Sequence, residues 1–209
     1  MDKKLLELEQ ERRDRLLNAA LKEFVLKGYD HSSTNVIAKE AKMSKALMFH
    51  YVNNKQDLFL AVYDYFTDLL EQEYFEKLDF SAGDIFVRLR WSYLLQLQLI
   101  KRYPWILDFD KLSAKTKSAE INQRLATVEK QKTCQQQLFD NLDKSKFRSD
   151  LDHEKCKKFI LWINLGFTSQ IVEKIKSSNS IDFDEEAVID TLDEYLKELK
   201  KLVYAAADE

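Results

Sequence analysis

The sequence predicts an all-α protein, and three observations support this fold class. Only 3 Gly and 1 Pro occur in 209 residues, so the residues that interrupt helices and form tight turns are scarce. Leu, Lys, Glu and Gln, which favour helix, are plentiful. Apolar residues also recur at spacings of three and four along successive segments, which is the period of an amphipathic helix.

The first helix is predicted from the N-terminal residues to about Lys27. One face of this segment collects its apolar side chains, which are those of Leu16, Leu17, Ala20, Leu21 and Phe24. Gly28 follows directly, and glycine commonly ends a helix because it tolerates a positive φ at the C′ position. We therefore expect the chain to turn at Gly28.

A helix-turn-helix is predicted in two short segments, residues 33–41 and 44–51. Ser44 is a natural N-cap for the second helix, because its hydroxyl can accept a backbone N–H that the first turn leaves unpaired. The break is too short to let the two helices separate, and the small side chains of Ala38 and Ala41 allow a close crossing. Such a motif presents its second helix to the major groove of DNA.

The rest of the chain continues the helical pattern. A long helix is predicted to begin near Lys55. Residues 84–103 are apolar on most faces, which is typical of a helix in the centre of a bundle, and Pro104 ends that helix. The remaining predicted helices are 118–142, 152–177 and 184–205.

Charge is distributed unevenly along the chain. Residues 1–56 carry a net charge of +3 and residues 57–209 a net charge of −6. A basic N-terminal part on an acidic body favours local contact with a polyanion. The alternative is that this bias reflects ordinary solvated surface.

Cysteine and hydropathy patterns indicate a cytoplasmic protein without a metal site. Cys134 and Cys156 share no metal-ligand spacing with each other or with the three histidines. The N-terminus lacks the apolar region of a signal peptide. No apolar run approaches the ~20 residues that span a bilayer, so we expect no contact with a membrane.

A series of motifs around the helix-turn-helix resembles the N-terminal region of the TetR family of bacterial transcription regulators. The family typically has a glycine-aromatic pair, a Thr/Ser cluster, Ile-Ala, Ala-Gly-Val-Ser, a Lys-Gly-x-Leu-Tyr/Phe-x-Tyr-Phe run and Lys-x-x-Leu. The corresponding segments here are Gly28-Tyr29, Ser32-Ser33-Thr34, Ile37-Ala38, Ala41-Lys42-Met43-Ser44, the run from Lys45 to Val52, and Lys55-Gln56-Asp57-Leu58. Lys42 and Ala46 stand where the family usually has glycine. If Lys42 adopts a positive φ, we expect strain on the order of 1 kcal/mol.

The resemblance implies a fold and a function. Residues 1–56 would be a three-helix DNA-binding head, joined by the long helix to a helical bundle at 57–209 that binds a ligand and dimerises. We expect a repressor that binds a palindromic operator in double-stranded DNA as a homodimer and is released by a small-molecule effector. An activator or an effector-independent regulator remains an alternative within this class.

A helical-bundle enzyme or small-molecule carrier is a remote alternative. The chain has no Glu-x-x-His pair, no Gly-rich phosphate loop and no nucleophile elbow. We therefore expect no enzyme, no catalytic residues and no cofactor.

The expected DNA contacts fall in the helix-turn-helix and just after it. Lys45 would donate to guanine or to a phosphate, and Ala46 and Leu47 offer apolar surface for a thymine methyl group. Solvated surface is the alternative for the lysines and His50, and core packing is the alternative for one aromatic. The full set is Ser33, Thr34, Asn35, Ser44, Lys45, Ala46, Leu47, Phe49, His50, Tyr51 and Lys55.

Two further sites follow from the resemblance. The dimer interface is expected on the last two helices, at Phe159, Ile163, Gly166, Phe167, Leu192, Tyr195, Leu196 and Leu199. The alternative is that these apolar residues only pack in the core of a single chain. The aromatic side chains expected to line an effector pocket, or alternatively to form ordinary core, are Trp91, Tyr93, Tyr103, Trp105, Phe109 and Trp162.

Overall fold

The all-α prediction is confirmed. The computed structural model describes residues 5, 7–126, 138–177 and 183–205, and within these ranges the only β-type pairing is one isolated bridge between Phe147 and Tyr204. None of the described helices combines the length and apolar character that crossing a membrane requires. The α-helices are α1 (Gln10–His31), α2 (Thr34–Glu40), α3 (Lys45–Tyr51), α4 (Lys55–Leu70), α5 (Ile85–Arg102), α6 (Ala119–Ala126), α7 (His153–Ser177) and α8 (Glu185–Val203).

Two compact units make up the described chain. The first contains the residues up to 73 together with 102–126, and the second contains 74–101 together with the described residues from 138 onward. This division follows packing, whereas the boundary predicted at residue 56 concerns function and remains a prediction.

The first unit is built around α1. This helix packs against α2, α4 and a 3₁₀ helix at Ile106–Ser113. Edge-to-face rings at 5.0 Å join Phe24 of α1 to Phe59 of α4. The predicted turn at Gly28 is confirmed, because Gly28 has φ 67° and interrupts the helical geometry of α1.

A polar network also joins α1 to Arg102, the last residue of α5, and to Tyr103, which follows it. The fully buried Tyr103 donates its hydroxyl hydrogen to Asp14 at 2.7 Å. Arg102 donates two hydrogen bonds to the same carboxylate, at 3.0 and 2.9 Å. Burial, together with the hydrogen bonds that Tyr103 makes with Tyr65 and Asp14, raises the pKa of Tyr103 far above its usual value. Hydrogen bonds between residues that are far apart in the sequence therefore stabilise the first unit.

The second unit has its own core, formed by α5, α7, α8 and the segment around Phe147. Asp84 lies at the start of α5, where its carboxylate accepts hydrogen bonds from the Phe86 N–H at 2.9 Å and from Lys200 at 2.9 Å. Burial raises the pKa of Asp84, but these bonds outweigh it and leave the pKa below its usual value. The larger apolar members of this core are Ile85, Phe86, Leu89, Tyr93, Leu138, Phe147, Ile160, Leu192, Leu196, Leu199 and Tyr204.

A buried arginine organises the loops of the second unit. Arg88 of α5 is 2% exposed, and its guanidinium donates to the carbonyl oxygens of Phe80, Leu138 and Asp140 at 2.6, 3.1 and 2.6 Å. A fourth hydrogen bond goes to the carbonyl of Ala82. Since buried carbonyl groups are costly to leave unpaired, this one side chain fixes two separate loop segments.

One prediction about helices needs correction, and another is confirmed. Helix α5 is covered on most faces, as predicted, although Val87 and Trp91 are 54% and 44% exposed. The predicted helix at 118–142 ends too late: after helical Leu138 the chain forms a turn in which Asn141 has φ 54°, which a continuing helix does not allow. Residues 127–137 of this prediction lie outside the described residues.

We predict that Arg88→Met lowers the free energy of unfolding by about 3 kcal/mol, because it leaves buried carbonyl groups without donors. Arg90→Met is the matched control on the same helix, since Arg90 forms an exposed pair with Asp193 and such pairs contribute about 1 kcal/mol or less. Urea unfolding of both variants measures the difference. Equal losses would contradict the role assigned to Arg88.

Candidate nucleic-acid interface

The turn of the helix-turn-helix is a Schellman motif. The N–H of Lys42 bonds to the carbonyl of Lys39 at 3.1 Å, and the N–H of Met43 bonds to the carbonyl of Ala38 at 3.0 Å. This 5→2 and 6→1 pattern requires a left-handed residue at the C′ position. Lys42 supplies it with φ 55°, so the positive φ expected at this position is confirmed.

Side-chain caps begin both helices of the motif. Ser44 Oγ accepts the N–H of Leu47 at 3.1 Å, as predicted for an N-cap of α3. Ser33 caps α2 in the same way through the N–H of Val36 at 3.5 Å. The caps reduce the number of unpaired backbone N–H groups at the start of each helix.

A buried carboxylate of α1 also fixes the start of α2. Glu23 is 8% exposed, and its Oε1 accepts the backbone N–H of Ser33 at 2.9 Å. This bond adds to the Ser33 side-chain cap, so the N-terminal end of α2 is held from two sides. Lys22 of α1 forms a further ion pair with Glu40 at 2.5 Å, near the other end of α2.

Helix α3 is held by one buried side chain and exposes most of the others. Met48 is fully buried. Lys45, Ala46, Leu47 and His50 are exposed, and Leu47 exposes 36% of its surface. The first turns of α3 therefore present a cation and two apolar groups to the outside, a combination suited to base edges in the major groove.

Two lysines lie against aromatic rings. Lys45 Nζ is 5.7 Å from the ring centroid of Phe49, one helical turn later. Lys55 Nζ is 4.8 Å from the ring centroid of Tyr29, and it donates to the carbonyl of Asp30 at 3.4 Å. Burial lowers the pKa of Lys55, although nearby carboxylates oppose this shift. Lys55 thus stabilises the corner after Gly28 and is not simply a solvated lysine.

The other expected DNA contacts are placed at the ends of helices or on their surfaces. Asn35 and Ser44 are exposed, whereas Ser33, Thr34, Phe49, Tyr51 and Lys55 are partly buried. His50 lies edge-to-face against Tyr51 at 5.1 Å. Contact with DNA by each of these residues remains a prediction.

Sequence reasoning missed two residues near this surface. Glu23 carries no motif signal, although a charged residue within an apolar helix stripe is a hint of a buried hydrogen bond. Val36 exposes 44% of its surface beside Asn35 on α2. Lys42, which the sequence singled out as a departure from the family pattern, is exposed in the turn and adds a positive charge there.

The six residues predicted to line an effector pocket fall in two different units. Tyr103, Trp105 and Phe109 belong to the first unit, and the other three belong to the second. Trp91 and Trp162 are 44% and 61% exposed. Neither unit by itself brings all six together, and their role remains a prediction.

The residues predicted for the dimer interface fall into three groups: buried, partly buried and exposed. Leu192, Leu196 and Leu199 are buried in the core of the second unit. Phe167 and Tyr195 are partly buried and stack on each other at 4.3 Å. The remaining three, Phe159, Ile163 and Gly166, are exposed on α7.

The geometry of α2 and α3 is that of a helix-turn-helix, and sequence comparison shows which family this part of the chain resembles. Residues 16–62 match the profile described as "Bacterial regulatory proteins, tetR family". The match begins within α1 and ends within α4, so it covers the whole helix-turn-helix. Over residues 16–62 the chain is therefore similar to the TetR family of bacterial regulatory proteins.

Similar proteins were found by sequence and by structure. The chain is 37% identical over 59 residues to YuxN of Bacillus subtilis (strain 168), described as an uncharacterized HTH-type transcriptional regulator; the match spans 28% of this chain and 20% of that protein. A TetR family transcriptional regulator from Chloroflexus aurantiacus J-10-FL has a similar fold, with a TM-score of 0.57, 18% identity, and 98% of each chain covered. The ketosteroid transcriptional regulator KstR2 of Mycobacterium tuberculosis also has a TM-score of 0.57, with 16% identity over 96% of this chain and 98% of that one. These two likenesses concern the fold.

We predict that Lys42→Gly stabilises the protein by about 0.5–1 kcal/mol, because glycine adopts the left-handed conformation without the strain that a side chain causes. Lys39→Gly is the matched control: it removes the same charge, but it places glycine within α2 and costs about 1 kcal/mol. Thermal unfolding compares the two variants with the unmodified chain. A destabilised Lys42→Gly variant would contradict the strain argument.

Proposed function

We propose that this chain is a transcriptional repressor that binds a palindromic operator as a homodimer and leaves it when a small-molecule effector binds. The observation that carries the proposal is the capped, exposed α3, whose first residues present Lys45, Ala46 and Leu47. Double-stranded DNA is its partner, so we place the protein in the cytoplasm. An activator or an effector-independent regulator would use the same interface.

Base reading is assigned to the start of α3, and phosphate contact to its surroundings. In a helix-turn-helix the N-terminal residues of the second helix contact base edges. Lys45 has a long side chain that reaches guanine O6 and N7, and Leu47 offers apolar contact to a thymine methyl group. Thr34, Asn35 and Lys55 lie near helix N-termini, where backbone dipoles favour phosphate.

An exposed apolar face supports the homodimer. Phe159, Trp162 and Ile163 of α7 are 51%, 61% and 44% exposed, and Leu202 of α8 is 64% exposed. The three α7 residues follow the spacing of one helical face, and Gly166 continues that face with no side chain to obstruct a neighbouring helix. Contiguous exposed apolar surface of this kind marks protein interfaces. A second copy of the chain is the proposed partner, and we assign Trp162 to this face instead of to a pocket.

Support for an effector comes from a tyrosine in the second unit whose hydroxyl oxygen is buried. No described residue hydrogen-bonds to the buried hydroxyl oxygen of Tyr195, and burial raises the pKa of Tyr195 to about 12. Nearby, the Tyr93 hydroxyl bonds to Asn164 at 2.7 Å and shares a hydrogen bond with Thr168 at 2.9 Å. An unpaired buried polar group is uncommon, and a ligand that bonds to it would stabilise the conformation to which it binds.

Selection of bound sequences from random DNA, at two salt concentrations, tests the DNA-binding proposal. We expect a near-palindromic motif whose half-site centres are separated by about one helical turn, ~34–36 Å. Lys45→Ala should change base preference, whereas Lys55→Ala should weaken binding to all sequences and lower the salt slope by about 1. Circular dichroism of Lys55→Ala controls for loss of the Tyr29 contact. Unspecific recovery by the folded protein, or equal sequence-blind losses in both variants, would contradict base reading by Lys45.

The dimer is tested by Phe159→Asp and Ile163→Asp, which place a charge on the exposed α7 face. We expect either variant to be a folded monomer, because burying an unpaired carboxylate at an interface is strongly unfavourable. Val87→Asp is the matched control, since Val87 is equally exposed and apolar but lies on α5. Light scattering gives the masses. Dimeric Phe159→Asp and Ile163→Asp variants would remove this face from the interface.

A further inference from the structure

We propose that the first unit contains a binding site for a small organic anion, in a cavity beside the Gly28 corner of α1. The cavity has a volume of about 250 Å³ and is lined by α1, α4 and the segment that ends the 3₁₀ helix. All of its lining residues belong to the first unit. This site does not depend on the proposed repressor function.

The floor of the cavity is apolar. Phe24, Phe59 and Leu112 line it, and each of these side chains is at most 2% exposed. Gly28 also lines the cavity, and a side-chain carbon added there would meet no atom within 4 Å. The cavity suits a ligand smaller than a typical drug, since the pockets that bind drug-sized ligands have volumes of about 300–1,000 Å³.

The rim of the cavity is cationic. Lys27, Lys111 and Lys115 line it together with His31. Lys111 is paired with Asp108 at 2.7 Å. In the described parts of the chain, neither Lys27 nor Lys115 forms a side-chain hydrogen bond or ion pair. Two lysines without such a partner therefore line a partly enclosed space, where charges act more strongly than on open surface.

One carboxylate also lines the cavity, but it is already bonded. Asp30 accepts the backbone N–H of Lys117 on both oxygens, at 3.2 and 3.1 Å. Because Asp108 balances Lys111, the remaining Lys27 and Lys115 against Asp30 leave an excess of one positive charge, so the cavity disfavours a cation. An apolar floor below a cationic rim matches a ligand with a small apolar body and one anionic group, such as an aryl carboxylate.

Isothermal titration with benzoate tests the site, with benzamide as the neutral isostere. We expect saturable benzoate binding and no measurable benzamide binding. Each lysine removed should weaken benzoate binding about tenfold, so the Lys27→Ala/Lys115→Ala variant should bind about a hundredfold more weakly. Ala114→Trp should also abolish binding, because Ala114 lines the cavity and a large side chain there fills it while the charges remain. Lys144→Ala/Lys158→Ala, which removes two exposed lysines of the second unit, is the matched control and should bind benzoate normally.

Two results would overturn the proposal. One is equal benzoate affinity in the unmodified chain, the Lys27→Ala/Lys115→Ala variant and Ala114→Trp, with thermal unfolding showing that all three are folded. The other is a lower salt slope of DNA binding in Lys27→Ala/Lys115→Ala with unchanged benzoate affinity, which would assign these lysines to the DNA backbone instead. Failure of DNA binding by the unmodified chain concerns the proposed function alone and leaves the benzoate result unaffected.

Discussion

The orientation of α3 depends on the reversal of the chain between Ala41 and Ser44. Two backbone hydrogen bonds close that turn, and they can form only because Lys42 adopts φ 55°. A side chain in this conformation costs on the order of 1 kcal/mol, a cost that the surrounding contacts must offset. The burial of Met48 in the next helix is one such contact, since it anchors α3 while the rest of its surface stays exposed.

The start of α2 is fixed by a different kind of interaction. A buried carboxylate is stable only where hydrogen bonds or charges compensate for the loss of solvent. Glu23 meets this condition by accepting the N–H of Ser33, and in doing so it joins the middle of α1 to the N-terminus of α2. Thr34 and Asn35, which we propose as phosphate contacts, therefore stand on a helix end that two side chains hold in place, which favours a preorganised surface.

The second unit uses buried polar groups to position its loops. Arg88 replaces its lost hydration with four carbonyl oxygens from two loop segments, and Asp84 joins the start of α5 to Lys200 of α8. Hydrogen bonds to these two side chains fix the positions of irregular segments. Apolar packing alone would fix them less precisely, because it is not directional. The exposed apolar residues of α7 lie outside this framework, so the proposed contact with a second copy of the chain requires no rearrangement of the core.

The sequence by itself determined the helix class, the Gly28 turn and the ends of α2 and α3, because these depend on local backbone preferences and on side chains that cap their own helix. Only the tertiary structure decided which apolar stripes are core and which are surface. Leu196 and Phe159 have the same stripe-like spacing, yet one is buried and the other exposed. Periodicity gives the apolar face of a helix but not what covers it. The contacts of Glu23 with Ser33 and of Tyr103 with Asp14 were equally beyond the sequence, since they join side chains whose proximity arises only when separate helices pack together.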